Sequence, residues 1–170
     1  MATLIREIRI NAPKEQVWDV LADFGGIQAF NPSVPNSFTT TGQNSGVGAE
    51  RHCDLALAGA SLEERITEWV DGEKMVIEIY EGKKTPPFKK AFATISVRES
   101  GPNATIVRGT LDYTLKFGPI GSLMDTFMVK PQFSNAWAGL FAGLKHYVET
   151  GEEVSSPSGL DFASVQAVPA

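Results

Sequence analysis

The run from Pro119 to Thr150 constrains the fold more than any other stretch of this chain. Its apolar side chains recur mostly every three or four residues, which is the spacing of an amphipathic helix with one broad buried face. Pro119 is typical of the first turn of a helix, and Gly151 of the position just after its end. At 1.5 Å per residue such a helix is about 45 Å long, so it needs a wide apolar surface to cover. The residues of its apolar face are Leu123, Phe127, Phe133, Trp137, Phe141, Leu144 and Val148.

The middle of the chain supplies that surface, because its pattern predicts strands. Residues 3–10 alternate in polarity and predict a first strand, Pro13 opens a short helix, and residues 27–32 predict one further short helical turn or a loop. Turn residues such as those at 44–46 and 71–72 separate the rest of this region into short segments joined by tight connections, which indicates antiparallel neighbours. Six further strands are predicted at about 36–42, 46–57, 60–71, 74–82, 90–99 and 104–117, which makes seven.

This order predicts an α+β fold in which a curved seven-stranded antiparallel sheet wraps around the long C-terminal helix, with two short helices after strand 1. A helix is only about 10–12 Å wide with its side chains, so it cannot fill such a sheet alone. The remaining space becomes a cavity between helix and sheet, where a small molecule would bind. Pro131, inside the predicted helix, indicates either a hinge for a movable gate at 118–130 or a static bend that follows the sheet.

Composition indicates one soluble domain, which we place at residues 2–150, followed by a tail at 151–170 whose Ser, Pro, Gly and Ala residues predict weak order. The formal net charge of -5 gives no electrostatic reason to expect a nucleic acid partner. The single cysteine, Cys53, cannot form an internal disulfide, which fits a reducing compartment. With no secretory leader visible and no apolar run approaching about 20 residues, we expect a cytoplasmic protein without stable membrane insertion.

Four stretches carry a resemblance to a known family: Ile10-Asn-Ala-Pro-Lys-Glu-Gln-Val-Trp-Asp-Val-Leu21, Gly46-Val-Gly-Ala-Glu-Arg51, Leu62-Glu-Glu-Arg-Ile-Thr-Glu-Trp69 and the long C-terminal helix. Over about residues 2–150 the chain resembles the START-like or Bet v 1-like (SRPBCC) superfamily, in its polyketide cyclase/dehydrase branch. The resemblance implies a helix-grip fold and relatives that include aromatase/cyclases, lipid and hormone carriers, and lyase-like enzymes. Because such a fold hosts many unrelated activities, function must be argued from the site.

Three polar residues on adjoining predicted strands are the candidates for chemistry: Arg51, Glu64 and Tyr80. An Arg beside a Glu in an apolar cavity suits acid–base chemistry or substrate anchoring, and Tyr80 could donate a hydrogen bond to a substrate carbonyl. Arg51 and Glu64 also resemble, in position, the Arg–Glu pair of the lachrymatory factor synthases. The alternative is a structural cross-strand ion pair, which on the solvent face would contribute only a fraction of a kcal/mol.

The apolar residues expected to line the cavity come from both layers of the fold. Alternation places Cys53 and Leu55 on the face of Arg51, and Ile66 on the face of Glu64. Tyr113 either lines the cavity or is a core tyrosine with a satisfied hydroxyl, and Trp137 could stack on an aromatic ligand. The complete set is Phe30, Cys53, Leu55, Ile66, Tyr113, Phe127, Phe133, Trp137 and Phe141.

These residues leave three functions open. The first is a module that binds a small hydrophobic or aromatic molecule, lipid-like or polyketide-like, between sheet and helix. The second is a cyclase, dehydratase or isomerase in which Arg51 and Glu64 move a proton on a bound carbonyl substrate, and the third is a regulatory domain that binds a partner protein. We expect neither a metal nor another cofactor, because the two histidines, His52 and His146, form no cluster with ligand spacing.

Overall fold

The chain forms one curved antiparallel sheet that packs against a C-terminal helix, in a computed structural model that describes residues 1–116 and 125–170 except the side chain of Phe127. The predicted α+β helix-grip architecture is confirmed. In chain order the elements are β1 (Ala2–Ile10), α1 (Lys14–Ala22), a 3-10 helix (Phe24–Ala29), β2 (Asn36–Thr39), β3 (Glu50–Asp54), β4 (Ser61–Val70), β5 (Lys74–Lys83), β6 (Phe88–Glu99), β7 (Thr105–Leu115), a π-helical turn (Asp125–Val129), α2 (Lys130–Thr150), a second 3-10 helix (Phe162–Ser164) and β8 (Gln166–Val168).

The sheet has eight strands in the order β2-β3-β4-β5-β6-β7-β1-β8, so the predicted count of seven is wrong. The additional strand comes from the C-terminal segment, where Val168 lies opposite Ile5 and Gln166 opposite Glu7 on β1. Three residues are too few to produce a visible alternation in polarity, which is why the sequence pattern did not predict this strand.

β3 is much shorter than the strand predicted at 46–57. Gly46 and Gly48 have φ angles of 79° and 90°, in the left-handed region that glycine adopts without steric cost. The N–H of Ala49 bonds to the carbonyl of Gly46, which closes a turn where the sequence pattern extends the strand. The strand therefore begins only at Glu50, directly before Arg51.

Within the described residues, the α-helix predicted from Pro119 runs from Lys130 to Thr150, and Asp125–Val129 before it form a π-helical turn. Pro131 consequently lies in its first turn, where its missing N–H costs no intrahelical hydrogen bond. A hinge or bend in the middle of α2 is therefore not needed to accommodate this proline. Gly151, with a φ angle of 77°, ends the helix as predicted. Residues 117–124, which include Pro119, Leu123 and much of the predicted gate, lie outside the described residues.

α2 packs closely on the sheet at Gly109 of β7. A Cβ atom at this position would lie 2.2 Å from Cζ3 of Trp137 and 2.4 Å from Cζ of Phe141, so both rings rest on bare backbone. At Gly143 of α2 a Cβ atom would lie 2.0 Å from the carbonyl oxygen of Phe30. These two glycines therefore set how near the helix lies to β7 and to the segment after the first 3-10 helix.

None of the helices in the described ranges is long and apolar enough to cross a bilayer.

Candidate functional site

A cavity of ≈730 Å³ lies between the inner face of the sheet and α2. Sheet strands supply one wall, the segment after the first 3-10 helix supplies a second, and α2 supplies the third. Most of the exposed lining is apolar. Six of the residues predicted to line the cavity do so: Phe30, Cys53, Leu55, Phe133, Trp137 and Phe141.

The other three predicted lining residues lie elsewhere or are not described. Ile66 is fully buried in the hydrophobic core and is not among the described lining residues. Tyr113 is also buried behind the cavity wall, with its ring packed edge-on against Phe88 and Phe133. The side chain of Phe127 lies outside the described residues.

Tyr113 connects the sheet to the turn that precedes α2. Its hydroxyl donates a hydrogen bond to the carboxylate of Asp125, in the π-helical turn. Burial, together with this neighbouring carboxylate, raises the pKa of the Tyr113 hydroxyl above its ordinary range. The hydroxyl is therefore protonated and committed to one partner, as the core-tyrosine alternative expects.

Arg51 and Glu64 form a buried ion pair at the cavity wall. The two residues lie directly opposite each other on β3 and β4, so their side chains leave the sheet on the same face. Nε of Arg51 donates to Oε2 of Glu64 at 2.6 Å. Only 5% of Arg51 and 8% of Glu64 is exposed, which places the pair on the inner face rather than in solvent. Both residues line the cavity.

Phe24, in the first 3-10 helix, completes the environment of the guanidinium. Nη1 of Arg51 donates to the carbonyl oxygen of Phe24 at 2.8 Å, and the guanidinium carbon lies 3.9 Å from the centroid of the Phe24 ring. Burial by itself would lower the pKa of Arg51, but the charge and hydrogen bond of Glu64, together with the neighbouring Cys53, leave that pKa raised. Arg51 is thus a fixed cation held from three sides.

Cys53 lies next to this ion pair, and its thiol is unreactive. Its Sγ–H donates to Oε2 of Glu64 at 3.4 Å, and the residue is 1% exposed. Burial, reinforced by the carboxylate of Glu64, raises the pKa of the thiol well above its ordinary value. Because the thiolate is the reactive form of cysteine, Cys53 is suited to packing and not to nucleophilic attack at neutral pH.

Tyr80 is not brought to the ion pair. Ile79 pairs with Glu64 across β4 and β5, and the register shift beside this pair forms a β-bulge that includes Tyr80. The tyrosine is 40% exposed, its ring lies 4.9 Å from the guanidinium carbon of Arg65, and its hydroxyl lies 3.5 Å from Oε2 of Glu50. Its contacts with Glu50 and Arg65, which flank the inward-facing Arg51 and Glu64, place Tyr80 on the outer face of the sheet.

Several lining residues were missed by the sequence reasoning. The polar ones include Asn31 and Lys84, in segments without a regular polarity pattern, and Gln132, a polar residue in the first turn of α2. Pro157 and Phe162 also line the cavity, and they belong to the tail that composition set apart from the domain. No sequence pattern could indicate the role of the Phe24 carbonyl, because every residue has a backbone carbonyl group.

The geometry limits the chemistry available at this site. An apolar wall favours apolar ligand surface, and a single buried pair supplies one fixed cation and one carboxylate. The carboxylate can accept a proton or a hydrogen bond, and the guanidinium can stabilise negative charge on a ligand oxygen.

The family model described as polyketide cyclase / dehydrase and lipid transport matches residues 1–149. No curated protein matches the chain.

Many solved structures share the fold at low sequence identity. A protein from Thermus thermophilus is 22% identical with a TM-score of 0.72, and the match covers 88% of this chain and 99% of that one. A START superfamily protein from Mycobacterium smegmatis is 17% identical with a TM-score of 0.69, covering 86% and 97%. Ara h 8.0201 is 14% identical with a TM-score of 0.70, covering 88% and 98%. At these identities the likeness concerns the fold alone.

Proposed function

Because this chain belongs to the polyketide cyclase/dehydrase and lipid transport family, we propose that it binds a small hydrophobic or aromatic molecule in the cavity between the sheet and α2. The observation that carries this proposal is the ≈730 Å³ space with its mostly apolar wall. That volume is in the range of about 300–1,000 Å³ found for small-molecule sites. Residues that touch the ligand would include Leu55, Phe133 and Trp137.

The ion pair supports the same function. A buried Arg–Glu pair often stabilises a fold no better than apolar residues of similar volume, because desolvating both charges costs about as much as their attraction returns. Its place in a mostly apolar wall therefore favours a role in ligand binding. In this proposal Arg51 and Glu64 anchor the polar end of a ligand whose apolar part lies against α2.

Trp137 offers a direct test, since it lines the cavity and is 8% exposed. Titration with N-phenyl-1-naphthylamine, an uncharged fluorescent probe, is expected to quench tryptophan emission through energy transfer. Much of that quenching should be lost in Trp137→Phe. Trp69→Phe is the matched control, because Trp69 packs against Trp18 and not against the cavity.

Two results would contradict binding at this site. One is quenching that persists unchanged in Trp137→Phe. The other is probe affinity that survives Ala93→Phe, a substitution that adds a ring to the cavity wall, in a variant whose cooperative thermal unfolding shows that it is folded.

A second candidate function, proton transfer on a bound carbonyl compound, is favoured by one specific observation. Glu64 is 8% exposed and lines the cavity, and its carboxylate lies 2.6 Å from a cation that can stabilise an enolate oxygen. We propose that Glu64 removes a proton from the carbon next to the carbonyl while Arg51 holds the developing oxyanion. Return of the proton to carbon or oxygen completes an isomerisation.

Deuterium exchange tests this step without knowledge of the natural substrate. The wild type is expected to accelerate incorporation of solvent deuterium into 2-tetralone at its activated carbon, and Glu64→Gln should abolish this while changing ligand affinity by no more than several-fold. Glu68→Gln on the same strand is the control, because Glu68 is exposed and pairs with Lys74. Equal exchange in Glu64→Gln would remove Glu64 from any mechanism.

A further inference from the structure

The Arg51–Glu64 pair retains hydrogen-bonding capacity that no described residue uses. Oε2 of Glu64 accepts from both Nε of Arg51 and Sγ of Cys53, whereas Oε1 accepts from none of the described residues. Arg51 uses Nε for Glu64 and Nη1 for the carbonyl of Phe24, and its Nη2 donates to no group in the described ranges. One acceptor oxygen and one donor nitrogen are therefore left over, on residues that are more than nine-tenths buried.

These two atoms face the cavity. Every fully buried side-chain nitrogen and oxygen among the described residues has a hydrogen-bond partner. Oε1 and Nη2 have none, so each must reach open space. Since both residues line the cavity and are almost inaccessible from outside, that space is the cavity itself. An unused donor and an unused acceptor in an apolar wall are costly unless a ligand or water satisfies them.

The charge of the wall limits which ligand can do so. The described lining residues include two cations, Arg51 and Lys84, and two carboxylates, Asp23 and Glu64. An anionic group placed on Arg51 would also lie against Glu64, because their contact atoms are only 2.6 Å apart. An ammonium group placed on Glu64 would meet Arg51 in the same way. Either ion would lose its hydration in a site that offers no net opposite charge.

We propose that the ligand carries a neutral hydroxyl group, as in a phenol, an enol or an alcohol, that accepts from Nη2 of Arg51 and donates to Oε1 of Glu64. A hydroxyl is a neutral group that donates and accepts strong hydrogen bonds through a single atom. The site therefore selects hydroxylated apolar molecules over carboxylates, ammonium compounds and plain hydrocarbons. This inference rests on the proposed binding function and specifies its ligand class.

A series of probes with one ring system tests the inference: naphthalene, 2-naphthol, 2-methoxynaphthalene and 2-naphthoate. At pH 7 a phenolic hydroxyl is protonated, because its pKa is about 10. We expect 2-naphthol to bind about tenfold or more tightly than naphthalene, as hydrogen bonds to charged groups allow. 2-Methoxynaphthalene can accept but cannot donate to Glu64, so it should bind no better than naphthalene. 2-Naphthoate should bind most weakly.

The variant that tests the assignment is the double substitution Arg51→Met, Glu64→Leu, which removes both charges together and leaves no unpaired ion behind. In this variant 2-naphthol is expected to lose its advantage over naphthalene. Glu68→Gln is the control, because Glu68 is an exposed residue near the end of β4. This variant should still bind 2-naphthol more tightly than naphthalene. Calorimetric titration of each probe into wild type and both variants gives the affinities.

The outcomes separate this inference from the function on which it rests. If naphthalene binds as tightly as 2-naphthol, if 2-naphthoate binds most tightly, or if the double variant keeps the preference, the hydroxyl assignment is overturned while the cavity remains a binding site. If no member of the series binds the wild type, both the inference and the proposed binding function are overturned.

Discussion

His52 is held between two carboxylates on the outer face of the sheet, on the side opposite its neighbour Arg51. Nδ1 of its ring contacts a carboxylate oxygen of Glu63, and Nε2 lies 3.1 Å from Oδ1 of Asp54. The ring also stacks on Phe38, with the centroids 5.1 Å apart. The hydrogen bond to Glu63, followed by the one to Asp54, raises the pKa of His52 above its ordinary value of 6.5.

This raised pKa predicts a pH-dependent contribution to stability. Because the folded state binds the proton more tightly, the stabilisation is fully present below pH 6.5 and is lost as pH rises through the raised pKa. His52→Gln should therefore lower the melting temperature by about 2–4 °C more at pH 6 than at pH 9. Thermal unfolding followed by circular dichroism at both pH values measures this.

His146→Gln is the control for this measurement, since the carboxylate partner of His146, Glu152, is largely exposed. It gives the loss of stability on replacing a histidine at each pH value, against which the loss for His52→Gln is compared. A loss of stability for His52→Gln that is equal at pH 6 and pH 9 would contradict the coupling of His52 to its two carboxylates.

Single residues differ in how far their surroundings can be predicted from sequence. Opposite charges on neighbouring strands point to a pair, and the register of β3 and β4 brings Arg51 and Glu64 together. Tyr80 was expected beside them, but the pattern of Met75, Ile77 and Ile79 already sends it outward. The hydrogen bond from Arg51 to the carbonyl of Phe24 could not be predicted, because every residue has a backbone carbonyl whatever its side chain.

At the scale of elements, the contact between α2 and β7 sets the geometry of the core. Trp137 and Phe141 lie over Gly109, where no side chain separates the rings from the strand. The absence of a Cβ atom at this one residue allows two aromatic rings to pack on the sheet.

Gly109→Ala is expected to lower the free energy of unfolding by about 1–3 kcal/mol, because the added methyl group must displace both rings. The backbone of Gly109 lies outside the left-handed region, so the effect comes from packing and not from φ. Gly42→Ala is the matched control, since a Cβ atom there would meet nothing within 4 Å. Urea denaturation gives both values, and a Gly109→Ala protein as stable as the control would contradict this packing.

Elements with a clear period were predictable, and those without one were not. The spacing of Phe133, Trp137, Phe141 and Leu144 identifies the buried face of α2, and Gly151 marks its end. The same spacing predicts α-helix at residues 125–129, where the structure has a π-helical turn directly before α2. This turn makes a tertiary contact, the hydrogen bond between Tyr113 and Asp125, that the local spacing of apolar residues does not predict.

At the scale of the whole molecule, the C-terminal segment joins parts of the fold that are far apart in sequence. Its Val154 is 5% exposed and its N–H bonds to the carbonyl of Ala29. Phe162 reaches the cavity wall, and β8 then pairs with β1. These contacts could not be predicted, because the segment has neither a regular pattern nor a place in the family match over residues 1–149.

Two truncations test our proposal that residues 2–150 form the folding unit. A chain ending at Val154 should remain folded, with a melting temperature lowered by about 2–6 °C, because the second 3-10 helix and β8 are short and every residue removed is exposed or half-exposed. Hydrogen exchange at residues 5–7 of β1 should become faster, since their pairing with β8 is removed.

A chain ending at Gly151 also loses Val154, so it should be less stable than the chain ending at Val154. Differential scanning calorimetry compares the two. An unfolded protein after removal of residues 155–170 would contradict the proposal that residues 2–150 suffice for folding.

The ligand site is tested most directly by isotope-filtered nuclear Overhauser measurements on labelled protein with bound 2-naphthol. If the space between the sheet and α2 holds the ligand, cross-peaks will connect naphthol protons to the methyl groups of Ala93, Leu111 and Leu144, which line the cavity. Cross-peaks confined to exposed methyl groups such as those of Val47, Val70 and Met128 would show surface adsorption instead and would contradict it.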